Sequence, residues 1–290
     1  LCLYDSDRSA AIDTQPLQRD SASGIWRAAL TGNLSGHYYT YLVDVWVPGT
    51  GQVLQRVTDP YAISLGADSR RAWIGNLDDP ALAPPGWAHA TRPRPAAALT
   101  DMAVYELHVR DFSASDTRVP PQDRGRYAAF GHARSHGMRH LRSLARAGLT
   151  DVHLLPVFDF ATVPESGCVT PDVSGTPDGE TQQAAVAAVS ARDCFNWGYD
   201  PLHFTAPEGS YATNAADGAL RIREFRRMVQ ALHRAGLRVG MDMVYNHTSA
   251  SGQKARSVLD RIVPGYYQRL NADGKVETST CCDNTATERR

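Results

Sequence analysis

Gly236-Leu237-Arg238-Val239-Gly240-Met241-Asp242-Met243-Val244-Tyr245-Asn246-His247-Thr248 follows a helix-like segment that closes at Ala235-Gly236. The run is largely apolar, yet it carries a carboxylate at Asp242 and an imidazole at His247. Parallel strands covered on both faces read as continuous apolar runs, so the stretch predicts a buried parallel strand. An unpaired charge in such a strand costs several kcal/mol. Asp242 therefore needs a dedicated partner or works at the strand's mouth. The ordinary reading of a strand-end Asp is a cap on the next helix, and of a lone His a satisfied core group. Asp242 lies too early in the run to be a cap, and Ser249 to Gly252 reads as loop. The functional reading is preferred.

Upstream, the spacing predicts a helix from about Gly218 to Ala235. Ile222, Phe225, Val229 and Leu232 form its buried stripe, with Arg221, Arg223, Arg226, Arg227 and Arg234 facing solvent. Ser135 is placed to cap an earlier helix whose stripe is Met138, Leu141, Leu144 and Ala145, and Gly148 closes it. Met102 to Val109 and Asp151 to Phe158 read as strands, ending in Arg110-Asp111 and Asp159. Between Thr162 and Asn196 lies a long polar loop with a weak helix over Glu180 to Ala191. Alternating strands and helices imply a parallel sheet with right-handed crossovers. Function then sits at the strands' C-terminal ends, where Asp111, Asp159, Asp242 and His247 fall.

The first hundred residues have a different rhythm. Gly24 to Leu30 and His37 to Trp46 are aromatic and β-branched runs separated by turn clusters such as Pro48-Gly49-Thr50-Gly51. This predicts an antiparallel, immunoglobulin-like β-sandwich over residues 1–95. The Pro-rich segment from Pro84 to Pro95 is the linker, and residues 100–290 form the α/β part. Trp26, Trp46, Trp73 and Trp87 could stack on sugars, but core or interdomain packing is the simpler expectation for each.

A net charge of −1 over 290 residues gives no support for nucleic acid or anionic membrane as partner. No apolar run approaches a spanning helix, and Leu1-Cys2-Leu3-Tyr4 resembles no signal peptide. The five cysteines contain no CxxC pair, which argues against zinc, while Cys168 and Cys194 flank one loop and could bridge. His132, His136 and His140 have helical metal spacing, but Gly137 interrupts them and no acidic ligand accompanies them, so coincidence is preferred. Trp197, Tyr199 and Asp200 set an aromatic platform beside a carboxylate, which suits the apolar faces and hydroxyl edges of a sugar. No G-x-S-x-G elbow or phosphate-binding glycine loop is present.

These residues resemble a known family. Met241-Asp-Met-Val-Tyr-Asn-His247 is similar to the first conserved region of the α-amylase superfamily, glycoside hydrolase family 13. Tyr105-Glu-Leu-His-Val-Arg-Asp-Phe112 resembles the first barrel strand of its debranching members. Asn196-Trp-Gly-Tyr-Asp-Pro201, Pro207-Glu-Gly-Ser-Tyr211, Ile262-Val-Pro-Gly-Tyr-Tyr267 and Asn284-Thr-Ala-Thr-Glu288 resemble pullulanase and limit dextrinase segments. The first ~100 residues resemble a family 48 carbohydrate-binding module. The fold implied is multidomain: a β-sandwich, then an incomplete (β/α)8 barrel with about three of its eight strands.

The resemblance implies hydrolysis of α-1,6 branch linkages in pullulan, limit dextrins or branched starch. It places Tyr199 against the sugar ring, gives Asp242 the site's arginine to hold, and assigns His247 to a sugar hydroxyl. Asn246 matches a calcium-binding position of some amylases; no other cofactor is implied, and a monomer is expected. Such an enzyme needs a nucleophile carboxylate and a facing acid about 5 Å away. Neither family motif occurs here, so the chain reads as the front part of an enzyme, inactive alone and without catalytic residues. An unpaired third strand would make the barrel part aggregation-prone. A non-catalytic glucan-binding protein, or a sibling such as isoamylase or branching enzyme, remains as the alternative.

Overall fold

The computed structural model describes residues 1–278 and 282–289. Its N-terminal part comprises β1 (Cys2–Tyr4), β2 (Ala11–Thr14), β3 (Gln18–Arg19), β4 (Trp26–Arg27), β5 (Tyr38–Val47), β6 (Gly51–Val57) and β7 (Ala72–Trp73). One antiparallel sheet runs β2-β1-β5-β6, with β7 pairing the start of β5, and β3 and β4 form a separate ribbon. The expected two-sheet sandwich is therefore seen as a single five-stranded sheet among the described residues. Its covering layers come from the second half of the chain. Cys2, Tyr4, Tyr38 and Trp73 pack one face against Ile222, while Tyr39 and Ala72 on the other face meet Ala206. Both faces of β5 are apolar at this end because both are covered.

The second half contains β8 (Val104–Leu107), α1 (His136–Arg146), β9 (Asp151–Leu154), β10 (Phe158–Phe160), α2 (Thr181–Val189) and β11 (Pro201–Pro207). α3 (Gly218–Arg234), β12 (Arg238–Met241), β13 (His247–Thr248), α4 (Leu259–Ile262) and β14 (Asp283–Asn284) follow. The Ser135 hydroxyl accepts from Met138 N and starts α1, while Asp217 accepts from Leu220 N at the head of α3. β8, β9 and β12 form a parallel sheet in the order β12-β9-β8. No closed barrel is present among the described residues. Leu107, Val152, Leu154, Met138, Leu141, Met228 and Leu232 form the core between this sheet and the two crossing helices. No helix among the described residues is long and apolar enough to cross a membrane.

Three expectations change. β12 is half-buried rather than covered on both faces, because among the described residues it is the edge of its sheet and pairs with β9 alone. The run from Asp151 to Phe158 divides into β9 and β10 around Pro156, which has no N–H to continue a ladder. Asp159 consequently lies in β10, fully buried, and not at the parallel sheet's mouth. Arg221, expected on the solvent face of α3, is fully buried. α3 packs on two sides, the parallel sheet and the N-terminal sheet, so its buried arc is wider than one stripe.

Trp73 is core, as the simpler reading had it, and Trp87 is half-buried with the Arg226 guanidinium above its ring. Trp26 and Trp46 are exposed. Cys168 and Cys194 are joined in a disulfide. Cys281 lies outside the described residues.

Candidate active site

β12 ends at Met241, and the Asp242 N–H still reaches the Leu154 carbonyl of β9 at 2.9 Å. Asp242 is thus the first residue past the strand, held in register with its side chain free to meet another element. That element is the loop leading to β11. The Tyr199 phenol donates to Asp242 Oδ2 at 2.5 Å. Burial and this carboxylate push the Tyr199 hydroxyl up to about 12.

His247 closes the group. Its Nε2 lies 2.7 Å from the Tyr199 carbonyl, and its Nδ1 lies 3.1 Å from Asn246 Nδ2. A carbonyl only accepts and an amide nitrogen only donates, so the neutral ring carries its proton on Nε2. Tyr199, Asp242, Asn246 and His247 are thereby brought together. Both His247 nitrogens are engaged, so a sugar hydroxyl would have to displace Asn246 to reach the ring.

Trp197 and Asp200 take different places. Trp197 is 61% exposed at the loop's tip, open to a ligand. The Asp200 carboxylate accepts from Thr162 N and Oγ1 at 2.8 and 2.5 Å and from Asn196 Nδ2 at 3.1 Å. Asp200 ties the turn and does not face the site. Asn196 Oδ1 accepts from Gly198 N, whose φ of +86° a β-carbon would strain. At Gly198 a β-carbon would also lie 2.8 Å from Pro156 Cβ. Glycine there lets the loop settle onto the end of β9 and aim Tyr199 at Asp242.

The sequence reading left out a second polar centre behind the loop. Asp159, Glu165 and Glu208 bring carboxylate oxygens within 4.8 Å of one another, all buried. Arg221 forms ion pairs with Glu165 and Asp159, and His203 Nδ1 donates to Asp159 at 2.7 Å. The N-terminal part reaches into this cluster. Asp68 N donates to Glu165, and Ser69 Oγ donates to Asp159 at 2.8 Å. Asp68 and Ser69 hold φ of +56° and +55°, strained for non-glycine residues and sustained by these bonds. Burial raises Glu165 to about 8 and Glu208 in the same direction. The Arg221 guanidinium supplies the positive charge here, so the cluster acts as an ionic joint between the two parts of the chain. Asp159 carried a sequence signal as a strand-end acid and Glu208 lies within the Pro207 to Tyr211 segment, whereas Arg221 was expected to face solvent and Glu165 carried no signal. Asp111, the other strand-end acid, is half-exposed and bonds Arg110. His132 pairs with Asp123 and His140 edges onto Tyr105, so the three spaced histidines do not converge.

The loop thus brings an aromatic ring to a carboxylate and an imidazole at the end of the parallel sheet. By sequence and by structure the chain is a pullulanase homologue. It is 41% identical to the pullulanase of Klebsiella pneumoniae and 42% identical to chloroplastic pullulanase 1 of Arabidopsis thaliana, over 99% of this chain in each case. The matches cover 30% and 31% of those proteins, so the chain spans about three tenths of its curated relatives' length. The crystal structure of Klebsiella pneumoniae pullulanase complexed with maltotriose superposes with a TM-score of 0.91 at 39% identity, covering 99% of this chain and 32% of that one. No family model matches the chain.

Proposed function

We propose that this chain carries the glucan-binding part of the active site of an enzyme that cleaves α-1,6 branch linkages in pullulan, limit dextrins or branched starch. The observation that carries the reading is the meeting of Tyr199 with Asp242 and His247 at the mouth of a parallel sheet. The maltotriose complex of the Klebsiella enzyme supports an α-glucan as ligand. Tyr199 offers a ring face to the apolar side of a glucose unit, and Trp197 offers a second at the rim. Asp242 anchors the tyrosine and keeps lone pairs for a cationic or hydroxyl donor. Retaining hydrolysis also requires a nucleophile and an acid about 5 Å apart. The 290 residues contain no counterpart of either motif, so binding and not hydrolysis is the activity assigned to them.

Two assays test this. In affinity electrophoresis through pullulan the chain is retarded and Tyr199→Ala is not. Incubation with pullulan releases no reducing sugar; measurable release would overturn the assignment of binding alone.

A second reading rests on Trp46, 67% exposed on β5 with Leu42 and Leu54 alongside. There the N-terminal sheet, and not the loop, would hold the glucan.

A further inference from the structure

We propose that His108 is a positioning residue, which fixes the height and tilt of the Tyr199 platform from the far side of the parallel sheet. The inference deepens the glucan-binding reading and rests on it. His108 follows β8, at the opposite edge of the sheet from β12 and Asp242. Its Nε2 lies 2.8 Å from the Asn196 carbonyl and 3.3 Å from the Tyr211 hydroxyl, and its Nδ1 accepts from Asp111 N at 3.3 Å. A backbone N–H can only donate and a carbonyl can only accept. Both contacts therefore demand the same tautomer, with the proton on Nε2. The ring also stacks on Phe195, centroids 5.3 Å apart, one residue before Asn196.

Asn196 is the knot through which His108 acts. Its carbonyl is held by His108, and its side chain binds Thr162, Asp200 and the Gly198 N–H. Three residues on, Tyr199 bonds Asp242 and His247. The loop is therefore pinned at both edges of a three-stranded sheet and crosses over the middle strand. Releasing the His108 end leaves Tyr199 held on the Asp242 and His247 side and frees the Asn196 backbone from the β8 edge. Binding sites lose their geometry when such supporting groups are removed, even where the contact residues are intact.

His108 could instead be a core filler between Phe195 and Tyr211, and two variants separate the roles. His108→Phe keeps the ring against Phe195 and removes the donor and the acceptor. His108→Gln keeps a side-chain amide that can donate to Asn196. Without ligand, ¹H–¹⁵N spectra of His108→Phe should show shifted or broadened signals for Asn196, Tyr199 and the Trp197 indole. Signals of Val152 and Leu232 should stay in place, and His108→Gln should recover most of the native pattern. In maltotriose titrations, His108→Phe should bind roughly tenfold more weakly, the equivalent of one lost hydrogen bond of about 1.4 kcal/mol. Platform signals in His108→Phe that coincide with the native ones would overturn the proposal whatever the ligand does. If the native chain ignores maltotriose, the glucan reading fails, while the ligand-free spectra still decide the role of His108.

Discussion

The Tyr199 phenol and the Asp242 carboxylate, 43 residues apart in sequence, meet at 2.5 Å across the gap between a long loop and the end of β12. That bond answers why an apolar strand runs into an acid: the acid is the landing point for the loop. Tyr199→Phe keeps the ring and removes the bond. It should lower stability by about 1.5–3 kcal/mol, the usual range for a hydrogen bond to a charged group. Thermal melts of the two proteins check this. The hydroxyl's raised pKa adds a sign. Stability from this bond is complete below the ordinary tyrosine value of 10.0 and is lost as pH rises through about 12. The difference between native and Tyr199→Phe melting temperatures should shrink in that window.

The buried ionic joint has its own pH signature. Glu165 is raised from 4.5 to about 8, first by burial and then by Asp159, with Arg221 opposing. A raised folded-state value means that stability is complete below about 4.5 and is lost as pH rises to about 8. Glu165→Gln should melt with a weaker pH dependence across that interval. Replacing Arg221 removes the buried cation that pairs with Glu165 and Asp159, so Arg221→Met should cost about 3–5 kcal/mol. A melting curve within a degree or two of the native one would contradict the joint.

Wherever neighbours in sequence decided the outcome, the fold was legible in advance. Ser135 capped α1, Gly218 to Ala235 matched α3 within one residue, and three parallel strands lie where the apolar runs put them. Asp242 and His247 stand out in the sequence because a charge in an apolar run demands a reason, and the structure brings both to Tyr199. What could not be read depended on partners far along the chain. α3 buries Arg221 because a loop holding Asp68 and Ser69 arrives from about 150 residues upstream with Glu165 between them. The covering layers of the N-terminal sheet were out of reach for the same reason, since they include Ile222 and Ala206. Asp200 looked like a sugar ligand, yet Thr162 and Asn196 use its oxygens. His108 lies within the Tyr105 to Phe112 stretch, but its partner is the Asn196 backbone carbonyl, which no side-chain pattern reveals.

The Cys168–Cys194 disulfide closes the polar loop just before the platform, 26 residues apart in sequence. Constraint of a loop this long contributes roughly 3 kcal/mol in the chain-entropy account. Reduction should lower the melting temperature and open the segment around α2 to proteolysis. Cleavage there that is unchanged by reductant would show that the loop is held by other contacts.

Mapping maltotriose by ¹H–¹⁵N chemical-shift changes on the native chain tests the central claim most directly. The account predicts saturable shifts at Trp197, Tyr199, Asp242 and His247, absent in Tyr199→Ala. Shifts confined to Trp46 and its neighbours on the N-terminal sheet, or no saturable shift at all, would contradict it.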